Sequence, residues 1–134
     1  MRKKVVVERE ENADNTRGND RPDVQTVMSQ VRNGRMKRVE ESLEMGFSVD
    51  TKDEHGNTPL IVACQNVNLQ MSEMLLRRGA KINHRNGGGN TALHYAMAYE
   101  PNGLLGEMLI SNGADDSIEN KDSLSCYDGL GGFT

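Results

Sequence analysis

One stretch of the chain repeats itself, and this repetition constrains the fold more than any other feature. Shifted by 33 residues, the segment that begins at Gly56 (GNTPLIVA) falls on the segment that begins at Gly89 (GNTALHYA). Further along, the segment at Leu75 (LLRRGA) falls on the one at Leu109 (LISNGA) with a shift of 34, so one residue is inserted near 100–103. A repeat of this length is one supersecondary unit that stacks on copies of itself to bury its apolar face.

Each copy of the repeat predicts two helices. Thr58 and Thr91 precede apolar runs and suit the N-cap, where a hydroxyl accepts a hydrogen bond from a free backbone N–H. Pro59 follows at the first helical position, where a missing N–H costs nothing. Gly79 and Gly113 follow leucine-rich runs, where a helix C-terminus favours a left-handed residue. The sequence therefore predicts a first helix after each threonine and a second helix that ends at each glycine.

A weaker copy precedes these two. Residues 23–34 have the apolar spacing of an amphipathic helix, and Asp23 is a plausible start for it. Gly46 lies 33 residues before Gly79 and occupies the same place in the period. The outer side of the predicted helix is polar, as an end unit without a neighbour requires. These residues therefore predict an N-terminal capping unit.

A truncated copy follows the two full ones. Ser125 stands where the two capping threonines stand, and its hydroxyl can cap a helix. Glycines follow so closely that any helix here is limited to one or two turns. We therefore expect a short closing cap in which Tyr127 and Leu130 cover the last apolar face.

The pattern Gly-x-Thr-Pro-Leu-His-x-Ala, followed by Leu-Leu-x-x-Gly-Ala, resembles the ankyrin repeat. The copy at Gly56 has Ile61 in place of the usual histidine, and the copy at Gly89 keeps His94 but has Ala92 in place of proline. The resemblance implies an all-α fold, an ankyrin-repeat solenoid of helix pairs joined by β-hairpin loops. The implied repeats cover residues of about 23–50, 51–83 and 84–117, with a truncated cap at 118–134.

The charges divide the chain into a tail and a body. Residues 1–22 carry six basic and five acidic side chains, and the body carries ten basic and fifteen acidic ones, so +1 and −5 sum to the net −4. An acidic body gives no electrostatic basis for nucleic-acid binding. The polar tail is predicted to be disordered, or to add a strand from its residues 3–7 to the sheet edge of a partner.

The sequence gives no sign of a membrane span or a secretion signal. No run of about 18 apolar residues is present, and the N-terminal segment turns acidic at Glu8 before a signal-peptide core forms. We therefore expect no membrane contact and a cytoplasmic location, with the nucleus as an alternative.

No residue spacing indicates catalysis or metal binding. His55, His84 and His94 include no i, i+4 pair and have no accompanying cysteine or carboxylate cluster. Cys64 and Cys126 lack Cys-x-x-Cys spacing and are expected to be buried thiols. Because no activated nucleophile is evident either, we expect no enzyme activity, cofactor, metal or small-molecule substrate. The ankyrin resemblance implies that the His94 ring bonds the neighbouring loop.

The resemblance implies a protein partner, bound in the concave groove between the loop tips and the first helix of each pair. We therefore expect a protein-protein interaction module, an adaptor or scaffold subunit that is a monomer when free. The closing residues also resemble the terminal repeat of small ankyrin proteins from unicellular eukaryotes, which suggests a cytoskeletal or flagellar assembly. Tyr99 is the expected anchor, because aromatic residues dominate interface hot spots. The predicted partner-binding residues are Lys52, Glu54, His55, Asn57, Gln65, Asn66, Arg85, Asn90, Tyr99, Glu119 and Lys121.

Two alternative functions are open at this level. The chain could be a stoichiometric inhibitor of an enzyme such as a protein kinase, like the small ankyrin inhibitors of cyclin-dependent kinases. Alternatively, residues 1–22 could recognise the partner while the repeats only support them. Because two full repeats between caps are near the minimum for a solenoid, we also expect a modestly stable monomer that its partner stabilises.

Overall fold

The computed structural model describes residues 22–131, which form a stack of three helix pairs without a β-strand in that range. The helices of each pair pack on each other, and the first helix of the middle pair packs on the first helices of both neighbours. The predicted all-α repeat architecture is therefore confirmed. The predicted tail, apart from Pro22, lies outside the described residues. The six helices are α1 (Val24–Arg32), α2 (Met36–Glu44), α3 (Pro59–Gln65), α4 (Leu69–Arg77), α5 (Ala92–Tyr99) and α6 (Leu104–Ser111).

The first helix of every pair begins at a side-chain cap. An Asp23 carboxylate oxygen accepts a hydrogen bond from the backbone N–H of Thr26 at 2.8 Å. The hydroxyls of Thr58 and Thr91 accept from the N–H groups three residues later, at 3.4 and 3.3 Å. Pro59 occupies the first turn of α3. The caps predicted from the sequence are therefore confirmed.

The second helices end in the predicted left-handed turns. After α4, Gly79 N–H donates to the Leu76 carbonyl and Ala80 N–H donates to the Leu75 carbonyl, both at 3.0 Å. These two bonds form a Schellman motif, which satisfies carbonyls that the helix leaves free. Gly79 has φ +91°, and Gly113 has φ +100° at the end of α6. Both predicted stops are confirmed.

The turn between the helices of a pair also requires a left-handed residue. Gly34 has φ +70° after α1, and Val67 has φ 51° in the same place after α3. Both residues donate to a carbonyl near the end of the preceding helix. A branched side chain is unfavourable in this conformation. The backbone at Val67 in the middle repeat is therefore strained, whereas the first repeat avoids this strain because it has Gly34 at the same place.

Replacing Gly34 by Val is expected to lower the free energy of unfolding by about 1–2 kcal/mol, the approximate cost of a left-handed residue with a Cβ. The backbone geometry causes this loss, because the added Cβ would approach only the Asn68 side chain, at 3.4 Å. Gly34→Asn is the control, since asparagine tolerates this conformation and should cost clearly less. Urea denaturation measures both variants. Equal losses for the two would show that the backbone conformation is not the cause.

The core runs through the whole stack and is widest at α3. Residues 58–64, the α3 N-cap and the helix up to Cys64, are fully buried, because α1 packs against one side of this helix and α5 against the other. Met71, Met74 and Leu75 of α4 complete the middle layer. Each fully buried Leu, Ile or Met side chain contributes roughly 1.5–3 kcal/mol. In the described part of the chain, no helix has the length and apolar character needed to cross a membrane.

The closing segment differs from its prediction. Residues 126–128 form a single turn and no helix, because Gly129 and Gly131 adopt positive φ angles of +107° and +76° directly afterwards. The Ser125 hydroxyl accepts from the Tyr127 N–H at 3.2 Å, so its capping role is restricted to this turn. The Tyr127 ring is exposed and does not cover the last apolar face.

Cys126 is the buried residue of the closing turn. Its side chain packs into the hydrophobic core, and Leu130 is half-buried. The small thiol lies where a tyrosine ring was expected because the single turn directs position 126, and not 127, toward the repeats. Tyr127 instead donates its hydroxyl to the Asp116 carboxylate at 2.6 Å.

Candidate functional site

Three loops of the same construction project from the helix pairs. Each begins with a carboxylate or amide oxygen that accepts from the backbone N–H groups two and four residues later, at 2.8–3.1 Å. Two further backbone bonds, at 2.8–3.0 Å, close each turn. Each predicted hairpin is therefore a single tight turn. The residues that begin the loops are Asp53, Asn86 and Asn120.

Backbone bonds join the tips of neighbouring loops. The N–H of Gly87 donates to the His55 carbonyl at 2.9 Å, and the N–H of Lys121 donates to the Gly88 carbonyl at 3.0 Å. The glycine run in the middle loop therefore allows its backbone to contact the loops on both sides. The three tips form one continuous edge, and each holds the next in position.

Asparagine side chains connect the loops a second time. The Asn86 amide donates to the Asn57 amide oxygen and to the Tyr95 hydroxyl, each at 2.8 Å. The Asn120 amide donates to the Asn90 amide oxygen at 2.9 Å. Asn90 is only 8% exposed. The asparagines between neighbouring loops therefore hold the tips against the first helices.

His94 fixes the closing segment to the third repeat. The ring is 1% exposed, and its Nδ1 accepts from the Thr91 backbone N–H at 3.2 Å. Because Nδ1 is the acceptor, Nε2 carries the proton and donates to the Leu124 carbonyl at 2.9 Å. The implied structural role of this histidine is confirmed.

Two clefts lie along the edge formed by loops and first helices. The smaller one encloses about 200 Å³ between α1 and the first loop tip, and Gln25, Met28 and Arg32 form its helical wall. Glu54 and His55 line both clefts, which therefore adjoin. The larger cleft encloses about 630 Å³ and is lined by Glu54, His55, Gly56, Asn57, Asn86, Gly87, Gly88, Asn90 and Tyr95.

Two tyrosines of α5 extend the larger cleft along the helix. Tyr95 lies in its wall, and the Tyr99 ring lies one helical turn further, with ring centroids 6.2 Å apart and planes tilted by 34°. Tyr99 is 53% exposed. Sequence reasoning selected Tyr99 and missed Tyr95. The spacing of four residues, which places both rings on one helix face, is the signal that could have identified it.

The structure brings only some of the predicted partner-binding residues together. Glu54, His55, Asn57 and Asn90 share the larger cleft, whereas the other seven do not line it. Asn90 offers a partner almost no surface, so we leave it out of the proposed surface. Asn57 and Gln65 are half-buried, and the exposed predicted residues are Lys52, Glu54, His55, Asn66, Arg85, Tyr99, Glu119 and Lys121.

Arg85 has a structural task at the loop edge. Its guanidinium donates to the Glu119 carbonyl at 3.1 Å and to the Gly89 carbonyl at 3.3 Å. A partner that used this side chain would compete with both bonds. The sequence could not reveal this, because the Glu119 carbonyl is 34 residues away along the chain.

The two thiols are expected to react only when the fold opens. Cys64 and Cys126 are free and buried, and burial raises the pKa of Cys64 to about 12. At pH 8 only on the order of one Cys64 in ten thousand is then the reactive thiolate. Burial, followed by the Asp116 charge, also raises the pKa of Cys126. Ellman's reagent at pH 8 should label neither thiol within minutes unless guanidinium is added. Labelling of native Cys64 at the rate of a free thiol would contradict this burial.

The described residues show no constellation for metal chemistry. Within 22–131, no group of three or more His, Cys, Asp or Glu side chains could hold an ion. Glu54 and His55 approach each other to 3.6 Å, but both are exposed at a loop tip. The edge formed by the loop tips and first helices is instead an extended surface of backbone, amide and aromatic groups.

Family comparisons agree with this geometry. A family model described as ankyrin repeats in many copies matches residues 43–96, and the model of the single ankyrin repeat matches residues 88–121. The chain belongs to the ankyrin repeat family. Ankyrin repeats are generally non-catalytic modules that bind other proteins. The edge that carries the two clefts is therefore the candidate partner-binding surface of this ankyrin stack.

Relatives share the repeats as part of much longer chains. The BRCA1-associated RING domain protein 1 of Caenorhabditis elegans is 35% identical over 95 residues, which is 70% of this chain and 13% of that protein. The B-cell lymphoma 3 protein homolog of Mus musculus is 38% identical over 81 residues, 58% of this chain and 17% of that protein. The ankyrin repeat and KH domain-containing protein mask-1 of Caenorhabditis elegans is 30% identical over 95 residues, 70% of this chain and 4% of that protein. This ankyrin chain therefore spans less than a fifth of each of these relatives.

Proposed function

We propose that the chain is a non-catalytic adaptor that holds another protein against the edge formed by its loop tips and first helices. The observation that carries this proposal is the larger cleft of about 630 Å³, which lies between two loop tips and Tyr95. Its floor and rim are rigid, because neighbouring tips are joined by backbone and amide hydrogen bonds. A rigid surface loses little entropy on binding.

The proposed surface combines an aromatic anchor with exposed polar groups. Tyr95 and Tyr99 supply the apolar area, since they lie side by side on α5 and Tyr99 is half exposed. Glu54 and His55 supply exposed polar groups between the two clefts. Binding sites for proteins commonly have such a centre of aromatic residues and a polar rim. We infer a folded protein partner that inserts a side chain beside the two tyrosines.

Removing the exposed part of this surface tests the proposal. The double variant His55→Ala and Tyr99→Ala should weaken recovery of the partner from native lysate at least roughly tenfold, because hot-spot truncations typically cost about 2 kcal/mol or more. Both side chains are exposed, so the melting temperature should change by no more than a degree or two. The full chain, read by quantitative mass spectrometry, is the reference.

Arg77→Ala is the matched control for that experiment. Arg77 is also exposed but lies in the last turn of α4, away from the residues that line the clefts. This variant should recover the same protein as the unaltered chain. Undiminished recovery by the double variant would reject the groove as the binding surface. Loss of recovery by Arg77→Ala alone would move the site to the second helices.

The more specific properties expected from the sequence stay predictions. They are a cytoplasmic location, a cytoskeletal or flagellar assembly, a monomeric free state, kinase inhibition, and recognition through residues 1–22. The adaptor role needs none of them, because it depends only on the groove residues. The identity of the recovered protein would separate the scaffold role from the inhibitor role.

A further inference from the structure

The two ends of the stack of second helices differ in chemistry. In α4 and α6, the side facing the preceding repeat is apolar and buried, as Met71 and Leu105 show. The matching position in α2 is Arg38, which is exposed, as is Glu41 one turn further. No described helix precedes α2 except its own partner α1. The first end of the stack therefore has the polar face that an end unit requires.

The opposite side of the second helices faces the following repeat. Leu43 of α2 and Leu76 of α4 are half-buried there, since a second helix follows each of them. Ile110 holds the matching position in α6 and is 45% exposed. Among the described residues no helix follows α6, and the closing segment covers α5 through the His94 bond to Leu124. On this side, α6 therefore presents the apolar side chain of Ile110, which no described helix covers.

An exposed row of side chains crosses the outer face of α6 and reaches its open side. Leu104, Glu107 and Ile110 follow one another at helical spacing of three, and Leu104 is 65% exposed. The residues that match Leu104 in the other second helices, Gln70 and Lys37, are polar and exposed. Asp115 and Asp116 follow the turn at 112–114 that ends the helix, and both are exposed. Hydrogen bonds from Ser117 lower the pKa of the Asp115 carboxyl and so favour its charged form.

The whole region around this row is acidic. Residues 86–131 contain a single basic side chain, Lys121, against seven acidic ones. The preceding residues 22–85 contain nine basic and eight acidic side chains. The negative charge of the described body is therefore concentrated at the end where α6 is open. Clustered charge of one sign selects partners of the opposite sign.

We propose that the exposed row on α6, formed by Leu104, Glu107 and Ile110, binds a basic amphipathic helix of a partner protein. The helix lies across the outer face of α6 and reaches its open side at Ile110. Its apolar residues pack on Leu104 and Ile110, as the apolar face of α6 itself packs on α4. Its lysines or arginines lie beside Glu107 and the two aspartates that follow α6. This surface is separate from the groove of the proposed function.

A model peptide tests this inference without knowledge of the natural partner. The probe is an acetylated and amidated peptide of about 15 residues, long enough for a helix, with leucine on one helical face and lysine on the other. The same pattern with glutamate is its control. The lysine peptide should shift backbone amide resonances of residues 104–116 in the full-length protein, and the glutamate peptide should not. Amide shifts confined to the neighbourhood of Tyr95 and Tyr99, or no shifts at all, would overturn the proposal.

Variants of α6 locate the contact more sharply. Ile110→Asn and Glu107→Lys should each weaken binding of the lysine peptide roughly five- to tenfold, the first through lost apolar contact and the second through charge. Met45→Asn is the matched control, because Met45 is 46% exposed but lies at the end of α2. It should leave the affinity unchanged. Equal affinity of Ile110→Asn and the unaltered protein would reject the α6 site.

Two readouts distinguish peptide binding at α6 from binding in the groove and from self-association. Tyr99→Ala removes groove surface and should leave peptide binding unchanged, so failure of the groove proposal would not be mistaken for failure of this one. Sedimentation without peptide tests whether a second copy occupies the surface. A dimer that Ile110→Asn dissociates would overturn the inference and assign α6 to self-association.

Discussion

Replacing His94 by alanine is expected to lower the free energy of unfolding by about 3 kcal/mol. The substitution opens a cavity in the core and leaves the buried Thr91 N–H without its partner. It also removes one of the two hydrogen bonds that the Leu124 carbonyl accepts, the other coming from the Asn120 N–H. For a domain of this size the melting temperature should fall by roughly 15 °C. Hydrogen exchange should accelerate most in residues 117–131, because the histidine ties that segment to α5.

His84→Ala is the matched control for the His94 variant. The His84 ring is half-buried and its Nε2 makes one bond to a loop carbonyl, that of Gly56, at 3.0 Å. Its removal should cost about 1 kcal/mol, the typical net value of one hydrogen bond. Differential scanning calorimetry measures both variants. Equal losses, or an unchanged exchange rate in the closing segment of His94→Ala, would show that His94 is not its anchor.

Replacing Gly89 by alanine is expected to cost about 3 kcal/mol, because two effects add. Gly89 has φ +81°, which an alanine adopts at a cost of about 1 kcal/mol or more. Its Cβ would also lie 2.8 Å from the Lys121 backbone nitrogen and 3.1 Å from the Asn120 Cα. Because the obstruction is backbone, the middle and closing loops must separate, which costs a further amount of about 1–3 kcal/mol.

Gly113→Ala isolates the first effect, the conformational cost of a positive φ angle. Gly113 has φ +100°, but a Cβ there meets nothing within 4 Å. The expected loss is therefore only the conformational cost of about 1 kcal/mol. In urea denaturation the two variants should differ by about 2 kcal/mol, which measures the close approach of the loops. If Gly113→Ala were as destabilising as Gly89→Ala, loop contact would not explain the loss.

Local features of the fold could be predicted because each depends on a few neighbouring residues. Thr58, Thr91 and Asp23 cap helices through bonds that span three residues, and Gly79 ends α4 within one turn. The repeat period then fixes where the other helices begin and end, because a helix pair that is assigned correctly in one repeat gives the positions of the pairs in the others. The same locality explains why the inserted residue could be assigned to the turn after Tyr99.

The incorrect or missed predictions concern features that depend on contacts between distant residues or on small differences in local backbone conformation. The closing segment forms one turn and no helix, because Gly129 and Gly131 adopt positive φ angles directly after it. Within that turn Cys126 is buried, as expected, but Tyr127 is exposed, the reverse of its expected placement. The ankyrin resemblance placed Tyr99 at the groove, and Tyr95, four residues earlier on the same helix face, was missed although it lines the cleft. The bond of Arg85 to Glu119 crosses 34 residues and leaves no local sequence pattern.

Site-specific photo-crosslinking tests the central claim, binding of a protein partner along the loop edge, most directly. Benzoylphenylalanine replaces His55, Tyr99 or Arg77 in three separate full-length variants, which are irradiated in native lysate. The groove account predicts that positions 55 and 99 capture the same protein and that position 77 does not. Capture at position 77 with none at 55 and 99 would contradict it.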